Sequence, residues 1–164
     1  MPVHAYTVRA GTTSKTILVH AGDPDARLPG VRGLRASTPG ASAAFVREHD
    51  AVATEVPLVE GAPGRWAAGS FAEVDPERMP GVYEFGAPDP LFAAGATRAL
   101  LMLRFPGAVI DPVDVDLVAF DPQEPTRLGL TALGPEERIQ ALRGAFPRLT
   151  ARELQELTGR KETP

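Results

Sequence analysis

The chain has 164 residues, a formal net charge of -4, and 43% hydrophobic and 23% charged residues, which is ordinary globular composition and enough for one cored domain plus an appendage. That charge offers no long-range attraction to nucleic acid or anionic lipid, no run of 18 apolar residues is present, and Met1–Tyr6 lacks the basic and apolar regions of a secretory signal. Without cysteine there is no disulfide framework, thiolate metal site or cysteine nucleophile; asparagine is also absent, and Lys15 and Lys161 are the only lysines. The 17 prolines fit either a high-GC genome or selection for heat resistance.

Up to about residue 133 the chain consists of short apolar segments broken by Gly, Pro and Asp. Strands are expected at Tyr6–Ala10, Lys15–His20, Ala43–Glu48, Thr54–Val59, Phe71–Asp75, Val82–Phe85, Arg98–Phe105 and Val113–Phe120. Turns are expected at Ala21–Asp25, Glu60–Gly64, Pro76–Gly81, Gly86–Pro90 and Pro106-Gly107, because proline removes a ladder donor and fixes φ. Strands at this spacing predict an all-β fold, a sandwich or barrel. In Arg98–Phe105 one face carries Ala99, Leu101, Leu103 and Phe105 and the other Leu100 and Met102, so this strand is expected to be central and covered on both sides. In Val113–Phe120, Asp114 and Asp116 alternate with valines and leucine, which predicts one face in the core and one in water.

From Gly134 the pattern is helical: Pro135 at the first helical position is followed by Glu136 and Glu137, and Ile139, Leu142 and Phe146 form a narrow apolar stripe that Pro147 ends. Thr150 and Glu153 form a capping box for a second short helix carrying Leu154 and Leu157, closed by Gly159. The chain therefore divides into a β domain over 1–133 and a helical tail over 134–164. The tail's stripe is the expected assembly surface or cover for an open sheet edge.

Motifs for chemistry are sparse. Asp111, Asp114, Asp116 and Asp121 lie in or beside a strand pattern without the glycine turn and bidentate glutamate of a calcium loop. His4, His20 and His49 are scattered, and no serine has a Gly-x-Ser-x-Gly setting. Gly-rich phosphate loops are missing, and the Leu149–Leu154 string is explained by its capping box. No catalytic residue, cofactor or metal is assigned. Trp66 is expected in the core, its N–H bonded to one partner.

The segments Phe71–Asp75 and Met79–Phe85 carry a Pro-Gly-x-Tyr-x-Phe pattern that resembles the entry to a late strand of bacterial immunoglobulin-like domains, where a Tyr hydroxyl, here that of Tyr83, ties back to upstream backbone. Gly11–Thr16, Gly33-Leu34, Phe45–Arg47, these two segments, and Asp121–Gln123 through Arg127–Leu133 follow one another in an order that resembles small virion proteins of tailed bacteriophages and prophages. The likeness spans roughly residues 11 to 133. It implies an immunoglobulin-like antiparallel sandwich of seven or eight strands, similar to the N-terminal domain of baseplate upper proteins. It also implies a non-enzymatic tail, baseplate, adaptor or decoration subunit, located in the virion and repeated in a symmetric assembly with other virion proteins. Trp66, Tyr83, Leu101 and Leu103 are the expected fold-defining residues. The alternative is a carbohydrate- or cell-wall-binding module with Trp66, Tyr83 and Tyr6 as stacking surfaces; an aromatic content of 6% speaks against it.

Overall fold

The computed structural model describes residues 4–25, 30–119, 134, 136, 137, 139, 140 and 143. Among the described residues ten strands form: β1 His4–Arg9, β2 Thr16–Gly22, β3 Ser42–Arg47, β4 Thr54–Val56, β5 Val59–Glu60, β6 Ser70–Asp75, β7 Met79–Gly86, β8 Arg98–Arg104, β9 Val109–Ile110 and β10 Val113–Val118. A single 3₁₀ turn, Asp89–Phe92, connects β7 to β8 among the described residues. The all-β expectation is met. The strands make two five-stranded sheets, β1-β10-β8-β3-β4 and β5-β6-β7-β2-β9, called here the first and second sheet.

Both sheets are mixed, which corrects the purely antiparallel expectation. β1 runs parallel to β10, from His4 opposite Val113 to Arg9 opposite Val118, and β5 runs parallel to β6. A parallel pair needs a connection that returns the chain to the same end, and for β1 and β10 that connection is most of the chain. No local signal carries it.

Pro57 accounts for a second correction. Thr54–Val59 reads as one strand, yet Thr54–Val56 pairs with β3 in the first sheet and Val59–Glu60 with β6 in the second. Proline lacks the N–H needed to continue the ladder, so the chain leaves one sheet there and enters the other. The expected turn at Pro76–Gly81 is shorter: Asp75 pairs with Met79, and the Asp75 carboxylate accepts the Glu77 and Arg78 amides at 2.9 Å each, closing the hairpin as an Asx turn. Met79–Gly81 already belongs to β7, with Gly81 at φ 81°.

Alternation places one residue of every two between the sheets. Val8, Phe45, Leu101, Leu103, Val113 and Val115 of the first sheet share a core cluster with Ile17, Val19, Phe71, Tyr83 and Phe85 of the second. Stacked rings bridge the gap: Phe71 lies 4.6 Å from Tyr83 and 4.4 Å from Phe105, centroid to centroid. Leu101 and Leu103, expected to define the core, are buried within it. The end of the chain enters the described structure only at Gly134, Glu136, Glu137, Ile139, Gln140 and Arg143, the last five helical. The Gly134 amide donates to the Glu137 carboxylate at 2.8 Å, the backbone half of a capping box. Leu142, Phe146, Leu154, Leu157 and the whole second helix of the expected hairpin lie outside the described residues.

Candidate functional site

Exposed large hydrophobic residues occur on both sheets, Leu18, Val59, Met79 and Val109 on strands of the second and Leu100 and Met102 side by side on the outward face of the first. Its residues follow from register. Arg98 pairs with Asp116, Leu100 with Asp114 and Val46, and Met102 with Ala44. Leu100, Met102, Ala44 and Val46 therefore form two adjacent apolar rows at the middle of the sheet. Leu100 and Met102 are 38% and 42% exposed, although β8 is the central strand. Covering on both faces was expected of this strand; among the described residues only the inner face is covered, because the opposing second sheet packs on one side alone. A groove of about 590 Å³ continues the apolar rows past Met102 to Pro106, Val109 and Pro112, with Arg104 at its side.

The rim of this face is charged and ordered. Arg98 pairs with the carboxylate of Asp114 and lies 3.8 Å from that of Asp116, so the two acids that alternate along β10 are held by one guanidinium on the neighbouring strand. Asp114 and Asp116 point outward, as their alternation requires. At the same end a cleft of about 1250 Å³ is lined by Thr7, Glu48, Thr97, Arg98 and Asp116 from the sandwich, together with Glu136, Glu137 and Gln140 from the helical residues. Here the turn after β3 clamps the loop before β8. The Glu48 carboxylate accepts the Thr97 hydroxyl at 2.5 Å and its amide at 3.1 Å, and the Arg47 guanidinium donates to the Ala93 and Ala94 carbonyls at 2.9 Å each. The hydrogen bonds from Thr97 hold Glu48 below its ordinary pKa. His49, at φ 75°, stands at the tip of that turn, exposed, 3.9 Å from Glu48.

The remaining residues singled out from sequence are dispersed. The ring of Tyr83 is fully buried; its hydroxyl donates to the Val31 carbonyl at 2.8 Å and accepts the Leu34 amide at 3.1 Å. The tie does run to upstream backbone, but over 52 and 49 residues, anchoring the β2–β3 loop rather than a local corner. Burial is the main reason its phenol pKa lies above the ordinary value. Trp66 is half-buried, with its indole N–H donating to the Ala87 carbonyl at 3.2 Å. The Tyr6 hydroxyl accepts from the Leu18 amide at 3.2 Å and donates to the Leu18 carbonyl at 3.1 Å, occupying both backbone groups that β2 would offer to another strand at that point. The three aromatics thus form no common stacking platform. Among the described residues no three of His, Asp or Glu gather as metal ligands, and no helix is long and apolar enough to cross a membrane.

Sequence reasoning did not pick out Glu48, Thr97, Arg47 or Arg98, whose partners lie between 16 and 49 residues away. For Arg98 a signal was present: a basic residue opening a strand that must lie beside the Asp114/Asp116 strand. No protein family, curated protein or solved structure matches the chain.

Proposed function

We propose that this chain is a structural, non-catalytic subunit that works by assembling with other proteins, in a phage or phage-like particle. The observation that carries the assembly reading is the apolar face centred on Leu100 and Met102, on the middle strand of a sheet where water would ordinarily face polar side chains. The same chain carries a complementary amphipathic stripe from Ile139 onward. Two complementary apolar surfaces on one chain are what a repeated subunit needs to contact its neighbours. The particle setting draws its support from the ordered motifs between residues 11 and 133.

An immunoglobulin-like arrangement is the finer fold we propose. Its support is the strand order: β6-β7-β2 and β10-β8-β3-β4 follow the D-E-B and G-F-C-C′ neighbours of such a sandwich, with the crossing between sheets at Pro57. Stiffness suits the proposed role, since a bridged aromatic core holds both faces in fixed relation.

Light scattering from low micromolar to near-millimolar concentration tests the assembly reading. The full chain is expected to form a defined oligomer at the upper end. A chain ending at Gly134 is expected to keep the strand spectrum and remain a monomer throughout. A full chain that stays monomeric over the whole range would overturn the reading.

A further inference from the structure

We propose that β1 is an exchangeable strand: two copies of this chain each place their His4–Arg9 on the β10 edge of the other, giving a strand-swapped dimer. The partner is a second copy, and its docking surface is the seat that β1 itself fills in the single subunit. The inference rests on β1 and its hinge and does not use the apolar outer face.

Three observations converge on it. The first is how lightly the core holds β1. Of residues 5–9 only Val8 is buried, whereas β2 buries Ile17, Val19 and Ala21, and β10 buries Val113, Val115 and Leu117. As an edge strand, β1 is held by its parallel ladder to β10 and by the Tyr6 hydroxyl on the Leu18 amide and carbonyl. An identical strand from another copy makes each of these bonds again. The second is the hinge. Residues 10–15 carry the chain from the first sheet to the second, with Gly11 at φ 82° and Ser14 at φ 56°. Ser14 has a side chain, so its left-handed backbone stores strain that an extended hinge releases. Short hinges under strain favour exchange. The third is the catch on that hinge. The Asp89 carboxylate accepts the Ser14 amide at 2.7 Å, and the Phe92 carbonyl accepts the Gly11 amide at 2.7 Å, so the two ends of the 3₁₀ turn hold the hinge bent.

Withdrawal of β1 leaves the β10 edge and both Leu18 groups without partners, so the seat has to be refilled. The strand that matches it in length, register and side chains is β1, which selects a second copy over an unrelated strand. Exchange requires β1 to detach first. The dimer therefore forms when the chain folds at high concentration and persists on dilution, whereas oligomers held by the apolar face alone would dissociate.

The absence of cysteine makes the test direct. Thr7→Cys/Asp116→Cys places thiols at positions that are exposed and paired across β1 and β10. The full chain is refolded from urea at near-millimolar concentration, monomer and dimer are separated by size, and each is diluted and treated with a short bismaleimide. On a denaturing gel the monomer is expected to be linked within one chain and the dimer between two. No dimer on refolding, or a dimer linked only within single chains, would overturn the proposal. The hinge supplies a second measurement without thiols. Asp89→Ala removes a bond made only in the bent hinge and is expected to raise a small dimer fraction about fivefold. Ser14→Gly removes the strain and is expected to lower that fraction by about as much. Two shifts in the same direction, or none, would also overturn it. Reversible oligomers of the native chain with links only within single chains would remove this inference and leave the assembly reading; a cross-linked dimer from refolding, beside a native chain that stays monomeric, would do the reverse.

Discussion

Single atoms decide how the loops are held against the sheets. The Tyr83 hydroxyl joins the β2–β3 loop to β7 through two part-buried bonds, one to the Val31 carbonyl and one from the Leu34 amide. Tyr83→Phe keeps the stacking on Phe71 and removes both bonds, so a loss of about 1–3 kcal/mol is expected in urea unfolding, with faster amide exchange at Leu34. An unchanged midpoint would show that the loop is anchored elsewhere. Glycines give a sharper contrast. A Cβ on Gly86 would overlap the Ala67 carbonyl and the Ser70 hydroxyl, whereas Gly64, at φ 75°, has open space around it. Gly64→Ala is expected to cost only the left-handed backbone strain, about 1–2 kcal/mol. Gly86→Ala must displace backbone and should prevent folding or cost clearly more, which a pair of thermal melts would show.

At the scale of the strand, β8 presents consecutive leucines to opposite environments. Leu101 is fully buried against both sheets, and Leu100 is 38% exposed on the outer face. Leu101→Ala is therefore expected to cost about 2–5 kcal/mol through lost transfer and the cavity left behind. Leu100→Ala in a chain ending at Gly134 should stay within about 0.5 kcal/mol, as for a surface site. Equal costs would mean that something in the sandwich itself covers Leu100. Period-two alternation made Leu101, Leu103 and the Asp114/Asp116 face legible in the sequence, because alternation is a local property of an extended chain. The open outer face of β8 was not legible. Two apolar faces on one strand signal cover on both sides, and the sequence does not say whether that cover comes from the sandwich or from a segment far along the chain.

Across the whole molecule, stability should be widest near neutral pH, for reasons that differ at the two ends. Glu48 is held below its ordinary pKa first by the Thr97 hydroxyl, Glu60 by the Ser37 hydroxyl, and Asp75 by the Arg78 amide. A depressed carboxylate contributes stability that is complete above its unfolded pKa, about 4. That contribution is lost as pH falls through the lower folded value. Tyr83 works in the opposite sense. Its raised pKa contributes stability that is complete below about pH 10 and is lost as pH rises through the folded value. Melting temperature against pH should fall at both ends. Glu48→Gln/Glu60→Gln should flatten the acid limb and leave the alkaline limb alone, and an unaltered acid limb would assign the acid sensitivity to other groups.

The existence of most strands, the fold class and the start of a helix after Gly134 were properties of short windows of sequence. Alternation, proline and capping chemistry act over a few residues and need no partner to be recognised. Pairing was decided only in three dimensions. The parallel match of β1 with β10, the split of Thr54–Val59 between two sheets, the reach of Tyr83 to Val31 and the Arg98 pairing with two acids all join segments whose separation along the chain carries no information about their contact. Core packing selects those partners, because one arrangement of the two sheets buries Phe71, Tyr83 and Phe105 as a single stack while leaving Leu100 and Met102 outside.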